Sequence, residues 1–518
     1  MADYTSTAGG GNALEKQACE FLQCARDRKA QIVRDLMEGY FFTNPRRARE
    51  VQSAYRATRG IPDDVAELQT TLGVECAEDF AGLMVNTFMP ANFPWLKRGR
   101  GSLGDDEWRE IKDRVAADDK VILAAIAESN FDAIAQQSFD PDLSLGMSAI
   151  WIADDKIWKS PKCRSIPLRR LEIELGPDGE IGPRFVVEHH MAKDLPVVLA
   201  GHTLPANVAR KVTSRQKDMC EVVWGFWRDH SVEGTETWQH VIMADKKIVD
   251  EERREGEGSI ELVVTPFAPN PDHPWGDGPG LKALPYLRVL DCLSGMTQDR
   301  ADIAANPPFS YPHDGVINFE GGIVAGRAYP HAQGTTENEF VPLYFQGDPD
   351  VGFFTLQDLE KSIKRLWYVD RPEQVGKTPP TASQWLDQIV EMQKRMGLVG
   401  QRFWRDGPRQ YFLRFKYLLE KRGRLEPIKS AGSLAPYNPA IKGQEYQEVQ
   451  LATKLMEIVM AFGGVQGQAL LKAPETFKNI KAKLGDEIVV FNDMARVLQL
   501  MAQLVPQTDL NIGNSKVN

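Results

Sequence analysis

Apolar residues recur with helical period through the first quarter of the chain. Leu14, Ala18, Phe21, Leu22, Ala25, Val33, Leu36 and Met37 share a face between Ala13 and Glu38, and Gly39 reads as the stop of this first helix. A second helical stretch, from about Asp63 to Phe88, runs into Met-Pro-Ala-Asn-Phe-Pro-Trp, where the prolines force an extended exit. A third is predicted from about Asp105 to Gln137.

Beyond Leu145 the pattern changes to short β-branched and aromatic runs: Met147 to Ile152, Ile166 to Glu174, Phe185 to His190, Glu221 to Trp227, Gln239 to Met243 and Ile260 to Thr265. Pro177-Asp178-Gly179 and Ala244-Asp245-Lys246 fit hairpin connectors, so the block is read as an antiparallel sheet, an α+β module with the helices before it.

Helical spacing returns at Leu281, Leu284, Leu287, Leu290 and Leu293. Pro285 is tolerated only in a first turn, which places the start of this rod near Lys282, and Asn306-Pro307-Pro308 stops it. Residues 309 to 354, with glycines at 315, 321, 322 and 326, read as a compact β-rich insert. Thr355 and Asp358 then resemble an N-cap pair for a second rod carrying Leu356, Leu359, Ile363, Leu366 and Trp367, which is expected to lie beside the first. A proline-rich loop follows from Arg371 to Pro380. Trp385, Ile389, Met392, Met396, Val399 and Phe403 mark a long helix, broken or kinked at Gly407-Pro408 and continuing to Gly423. The tail holds a proline-rich linker and further helices.

Composition narrows the class. A chain of 518 residues with 42% hydrophobic and 26% charged residues can bury several cores. Six scattered cysteines read as free thiols in a reducing compartment, and neither an export signal nor an 18-residue apolar run is found. A net charge of -10 argues against a surface that grips nucleic acid throughout. One segment departs from that average. Between 394 and 424 lie Lys394, Arg395, Arg402, Arg405, Arg409, Arg414, Lys416, Lys421, Arg422 and Arg424 against only Asp406 and Glu420. This cationic stretch must meet something negative, either DNA and partner proteins or the acidic surface of a neighbouring subunit. The second reading is preferred, because a continuous cationic lining would retard sliding DNA.

Motifs for chemistry are not found. Gly376-Lys377-Thr378 imitates the end of a phosphate loop, but Arg371 stands where the first glycine is required and Pro379-Pro380 follows. Gly276, Gly278 and Gly280 miss the dinucleotide spacing and read as a turn. His189-His190 face opposite sides of a strand, and zinc-hydrolase, dithiol and serine-elbow signatures do not occur. No catalytic, cofactor or metal residues are assigned.

Four elements in a fixed order resemble the portal proteins, or head-to-tail connectors, of short-tailed bacteriophages (podoviruses). They are Phe80-Ala-Gly-Leu-Met-Val-Asn-Thr-Phe-Met-Pro with Phe93-Pro-Trp95; Asp277-Gly278-Pro279 with Ala283-Leu284-Pro285; Pro307-Pro308 with Asp314-Gly315; and Thr378 to Ser383 leading into a long helix. The resemblance covers roughly residues 15 to 505. Gln384 stands where the family more often has an acid, and Pro379-Pro380 stiffens the loop.

The resemblance implies a mainly helical α+β portal fold with an antiparallel β-rich wing and a small β-rich clip between two stem helices. Its modules would be N-terminal helices and wing at 1–280, stem helices at 281–305 and 356–370, clip at 306–355, channel loop at 371–382, long kinked wing helix at 383–423 and helical crown at 424–518. It further implies a dodecamer at one capsid vertex of the virion, assembled in the host cytoplasm. The expected partners are the terminase large subunit, a tail adaptor, capsid and scaffolding proteins, and double-stranded DNA passing through the channel, with no membrane. Arg371, Lys377 and Thr378 would face the channel; Lys394, Arg395, Arg402, Arg405 and Arg409 would contact DNA or a subunit; Phe309, Tyr311, Phe319 and Tyr329 would bind partners at the clip. Another structural virion protein, of the core or tail, and a nucleic-acid enzyme are the competing readings.

Overall fold

The computed structural model describes residues 10–48, 68–91, 94–101, 103–154, 160–232, 234–313, 325–332, 341–342, 349–370, 395, 397, 399–428, 433–436, 452–454 and 457. The chain forms two compact units, Met1–Asn438 and Pro439–Asn518. In the second, the described residues are helical.

The first unit begins with helix α1, Gly10–Thr43. Its N-terminal half lays Ala18, Leu22 and Ala25 on Phe185, Val187, Val223 and Trp227, while Leu36, Met37 and Tyr40 enter a second core with Leu145, Leu171 and Ile173. Gly39 does not stop it. The glycine is there for contact: a Cβ at 39 would lie 2.6 Å from Leu145 Cδ2, so the helix passes over that leucine and ends at Thr43. Helix α2 is Leu72–Phe88. The predicted single helix of 105 to 137 is two, α3 at Asp105–Glu128 and α4 at Phe131–Phe139. Ser129 divides them by accepting the Phe131 N–H at its hydroxyl, 3.1 Å, a local bond that competes with the helical ladder.

Thirteen described strands form four sheets. A two-stranded sheet pairs β1, Leu96–Arg98, with β13, Leu434–Pro436. In order β3-β2-β9, Lys162–Ser165, Met147–Ala153 and Leu262–Pro266 form a three-stranded sheet at the heart of the unit. The large sheet is a five-stranded antiparallel meander of β4, Leu171–Leu175; β5, Ile181–Met191; β6, Met219–Arg228; β7, Thr237–Ala244; and β8, Lys247–Glu255. Helix α5, Ala206–Ser214, lies in the β5–β6 connection. The Asp245-Lys246 connector has both residues at positive φ, 48° and 64°, as a hairpin turn matched to strand twist demands.

The run Trp-Gly-Asp-Gly-Pro-Gly is a crossing of three backbones rather than a simple turn. A Cβ at Gly146 would sit 1.9 Å from the Gly276 carbonyl oxygen, and one at Gly278 would sit 2.1 Å from that of Ser144. The Phe267 N–H donates to Gly146 O at 2.9 Å and the Asp277 N–H to Ala268 O at 3.0 Å. Helix α6, Pro279–Ala305, leaves this crossing. It starts at Pro279 rather than near Lys282, so Pro285 lies inside it. Anchoring of the first turn between Ser144 and Trp367, against which Gly280 is pressed, outweighs the lost N–H of Pro285.

After α6, the insert contains β10, Phe309–His313; β11, Ala328–Ala332; and β12, Val341–Pro342, with β10 central, parallel to β11 and antiparallel to β12. Helix α7, Pro349–Leu366, begins before the Thr355 cap expected from the sequence, because proline suits the first helical position. It ends before Tyr368, whose φ of 59° turns the chain away. Helical residues 399–406 lead to Gly407-Pro408, and α8, Pro408–Lys421, follows the break. A shared aromatic core binds these parts: Phe80 meets Phe267 and Trp367 edge-on, Phe403 meets Phe88 and Phe139, and Phe131 meets Tyr411 and Phe415.

Candidate functional site: two struts and a self-paired basic helix

Helices α6 and α7 lie side by side. Leu284, Leu287 and Leu290 share one core with Ile363 and Trp367, with Leu356 and Leu359 packed against it. A Cβ at Gly280 would stand 3.2 Å from Trp367 Cη2, so the start of α6 adjoins the end of α7 and the pair is antiparallel. The C-terminus of α6 and the N-terminus of α7 therefore lie at the same end of the pair, toward the insert they flank. Two tethers hold α6 from outside: Arg288 Nη2 donates to Glu38 Oε2 at 2.7 Å, and the Gln69 N–H donates to Asp291 Oδ1 at 2.8 Å. Of the four residues expected to bind partners in the insert, Phe309 is exposed and Tyr329 buried; Tyr311 lies on β10 and Phe319 falls outside the described residues.

Of the nine described basic residues of the stretch, seven find counter-charges within their own chain. Arg395 donates to both Asp370 oxygens at 2.9 Å. Arg402 and Arg405 converge on Glu180, each at 2.8 Å, and also reach Asp406 at 3.0 and 2.9 Å. Arg409 reaches Glu257 at 3.3 Å, Lys416 lies 3.5 Å from Glu420, and Arg422 Nε donates to Asp154 at 2.7 Å. Arg414 is buried, its guanidinium donating to the carbonyls of Ile152, Gly258 and Ser259, and burial pushes it down to about 10. Neither a neighbouring subunit nor DNA is needed to balance these pairs. Glu180 stands at a hairpin tip and Asp370 just beyond a strut, both far from the helix in sequence, so spacing gave no sign of them. Arg371, Lys377, Thr378 and Lys394 lie outside the described residues.

Below the Glu180 contacts, between the five-stranded sheet, β9 and the helical segment 405–414, is a cavity of about 360 Å³. Its floor is apolar, with Ile260, Leu262 and Val264, and its walls carry Arg184, Trp238 and Gln410.

All six cysteines are free thiols. Among the described residues no group of three His, Cys, Asp or Glu could hold a metal ion, and no helix is long and apolar enough to cross a membrane.

An α+β chain whose antiparallel struts flank a β-insert, and whose basic helix is mostly paired within the chain among the described residues, has the character of an assembly component. Residues 15–487 match the family described as bacteriophage head to tail connecting protein, and the chain belongs to that family. It is a portal protein, a component connecting head and tail, and its family is structural rather than enzymatic. No curated protein matches it. Among solved structures it is similar to a chain of the virion of a native gene transfer agent (GTA) particle, at 12% identity, with 87% of this chain and 97% of that chain covered and a TM-score of 0.38. A chain from the neck of an empty GTA particle is similar at 15% identity, with 84% and 98% covered and a TM-score of 0.37.

Proposed function

We propose that the protein is one subunit of a dodecameric ring at a single vertex of a short-tailed phage capsid, through which double-stranded DNA is packaged and later ejected. No residue makes or breaks a bond. In this reading 281–305 and 356–370 are the stem, 306–355 the clip, 371–382 the channel loop, 383–423 the long wing helix, 1–280 the N-terminal helices and wing, and 424–518 the crown. The clip engages the terminase large subunit during packaging and a tail adaptor afterwards, while capsid and scaffolding proteins hold the ring in the shell. The basic helix acts chiefly as an internal tie, because its arginines are occupied by Glu180, Asp370, Asp406 and Glu257.

The observation that carries this reading is the antiparallel pairing of α6 and α7 around the insert, in a chain of the head-to-tail connecting family. In this reading the two packed struts hold the insert at one end of the subunit, where a ring can present a circle of identical contact surfaces. Native mass measurement of the purified protein tests it, with a closed assembly of about twelve 58.1 kDa copies expected. A protein that stays monomeric under every assembly condition, or grows into open filaments, rules the ring out.

A further inference from the structure

The cavity beneath Glu180 has an unbalanced charge. Four carboxylates line it, and each is already engaged: Asp178 by Arg228 at 3.3 Å, Glu180 by Arg402 and Arg405, Asp406 by the same two arginines, and Glu236 by the indole N–H of Trp238 at 2.8 Å. Arg184 is different. Its guanidinium carries five N–H donors and finds only backbone carbonyls: Ile181 O at 2.8 Å, and Gly182 O and Leu262 O at the outer limit of 3.5 Å. It lies over the Trp238 ring at 4.7 Å and has no carboxylate within ion-pair distance among the described residues. Burial pushes the Arg184 guanidinium down to about 10, against the raising influence of Glu236 and Asp406 across the cavity, so it stays charged at neutral pH, and at least two of its N–H groups are left without an acceptor among the described residues. Across the cavity Gln410, on α8, has no hydrogen-bond partner among the described residues, so a second polar group is also unused. The floor between them is aliphatic.

We infer that this cavity is a binding site for a carboxylate carried on a small apolar body, the carboxylate forked onto Arg184 and assisted by the Gln410 amide, the apolar part resting on the exposed edges of Ile260 and Val264. The volume of about 360 Å³ is within the range of small-ligand sites. Planar oxyanions match the guanidinium fork, while the engaged rim carboxylates repel more highly charged anions. The carboxylate can come from a free metabolite-sized acid or from an Asp or Glu side chain of a second copy. These share one chemistry and differ in when the site is open.

Benzoate is the probe, with benzamide as its neutral isostere, in calorimetric titration of the full chain at pH 7, carried out on dispersed copies and on the assembled protein. Saturable benzoate binding with benzamide at least about tenfold weaker is expected, and Arg184→Gln should weaken benzoate by about tenfold or more. Equal binding in both forms assigns the site to a free acid, and binding confined to dispersed copies assigns it to a neighbour's side chain. No benzoate binding in either form, equal binding of benzamide, or an unchanged affinity in Arg184→Gln overturns the inference. Should Arg184→Gln not fold, Gln410→Glu supplies a carboxylate from within and should abolish benzoate binding; unchanged binding there overturns it as well.

Discussion

His240 illustrates how a single side chain can be set by its neighbours. On β7 its ring stacks on Phe226, centroids 4.5 Å apart and planes 11° from parallel, and its Nε2 is buried without a partner among the described residues. Burial, reinforced by Arg254, pushes its pKa down to about 4. The folded state thus binds the proton more weakly than the unfolded chain does. Stability from neutral His240 is complete above about pH 6.5 and is lost as pH falls through about 4, by up to about 3 kcal/mol. In urea unfolding between pH 7 and pH 4, His240→Phe should lose less stability than the parent by about that amount. Equal losses would place the acid sensitivity elsewhere. Gly146, Gly276 and Gly278 show the same dependence on neighbours in the backbone. The spacing of Gly276 and Gly278 marks a turn but not its purpose, since the carbonyls they admit include those of Gly146 and Ser144, about 130 positions away.

Among elements, those with a buried stripe were legible, and those without were not. The strands Met147–Ala153, Met219–Arg228 and Thr237–Ala244 follow from their apolar runs, whereas β8 escaped notice. Its sequence, Lys-Ile-Val-Asp-Glu-Glu-Arg-Arg-Glu, reads as solvated charge; it is a strand because β7 offers it a complete ladder, and its charges suit an edge. The passage of α1 through Gly39 was likewise decided by a contact, with Leu145, whereas the split of α3 from α4 and the early start of α7 come from local features, the Ser129 hydroxyl and Pro349, that apolar periodicity does not register. Where the five-stranded sheet meets the basic helix, the Arg402–Glu180–Arg405 cluster is a partly exposed network, with Glu180 43% accessible at its side chain. Glu180→Gln should lower stability by about 1 kcal/mol at low ionic strength, and the difference should fade toward zero as salt is raised to about 1 M. Chemical unfolding at two salt concentrations checks this. A loss independent of salt would mean that packing, not charge, joins sheet to helix there.

For the whole molecule, the organising fact is that one aromatic core gathers Phe80, Phe131 and Phe139, Trp367, and Phe403 from four distant stretches of chain, so the struts are braced by the elements around them. Under the proposed function, deleting 309–348, the insert between the struts, should leave rings that still close but no longer bind terminase or tail adaptor. Pull-down with each partner measures this, and retention of both by the truncated ring would move the docking surface off the insert. The sequence by itself determined the α+β class, the rod–insert–rod arrangement and the family resemblance, because periodicity and prolines act locally and in register along the chain. Only the tertiary structure decided which charges meet. Arg402 and Arg405 find Glu180 more than 220 residues away, and Arg184 is left with carbonyls, because Coulomb pairing depends on distance in space, which sequence spacing does not encode.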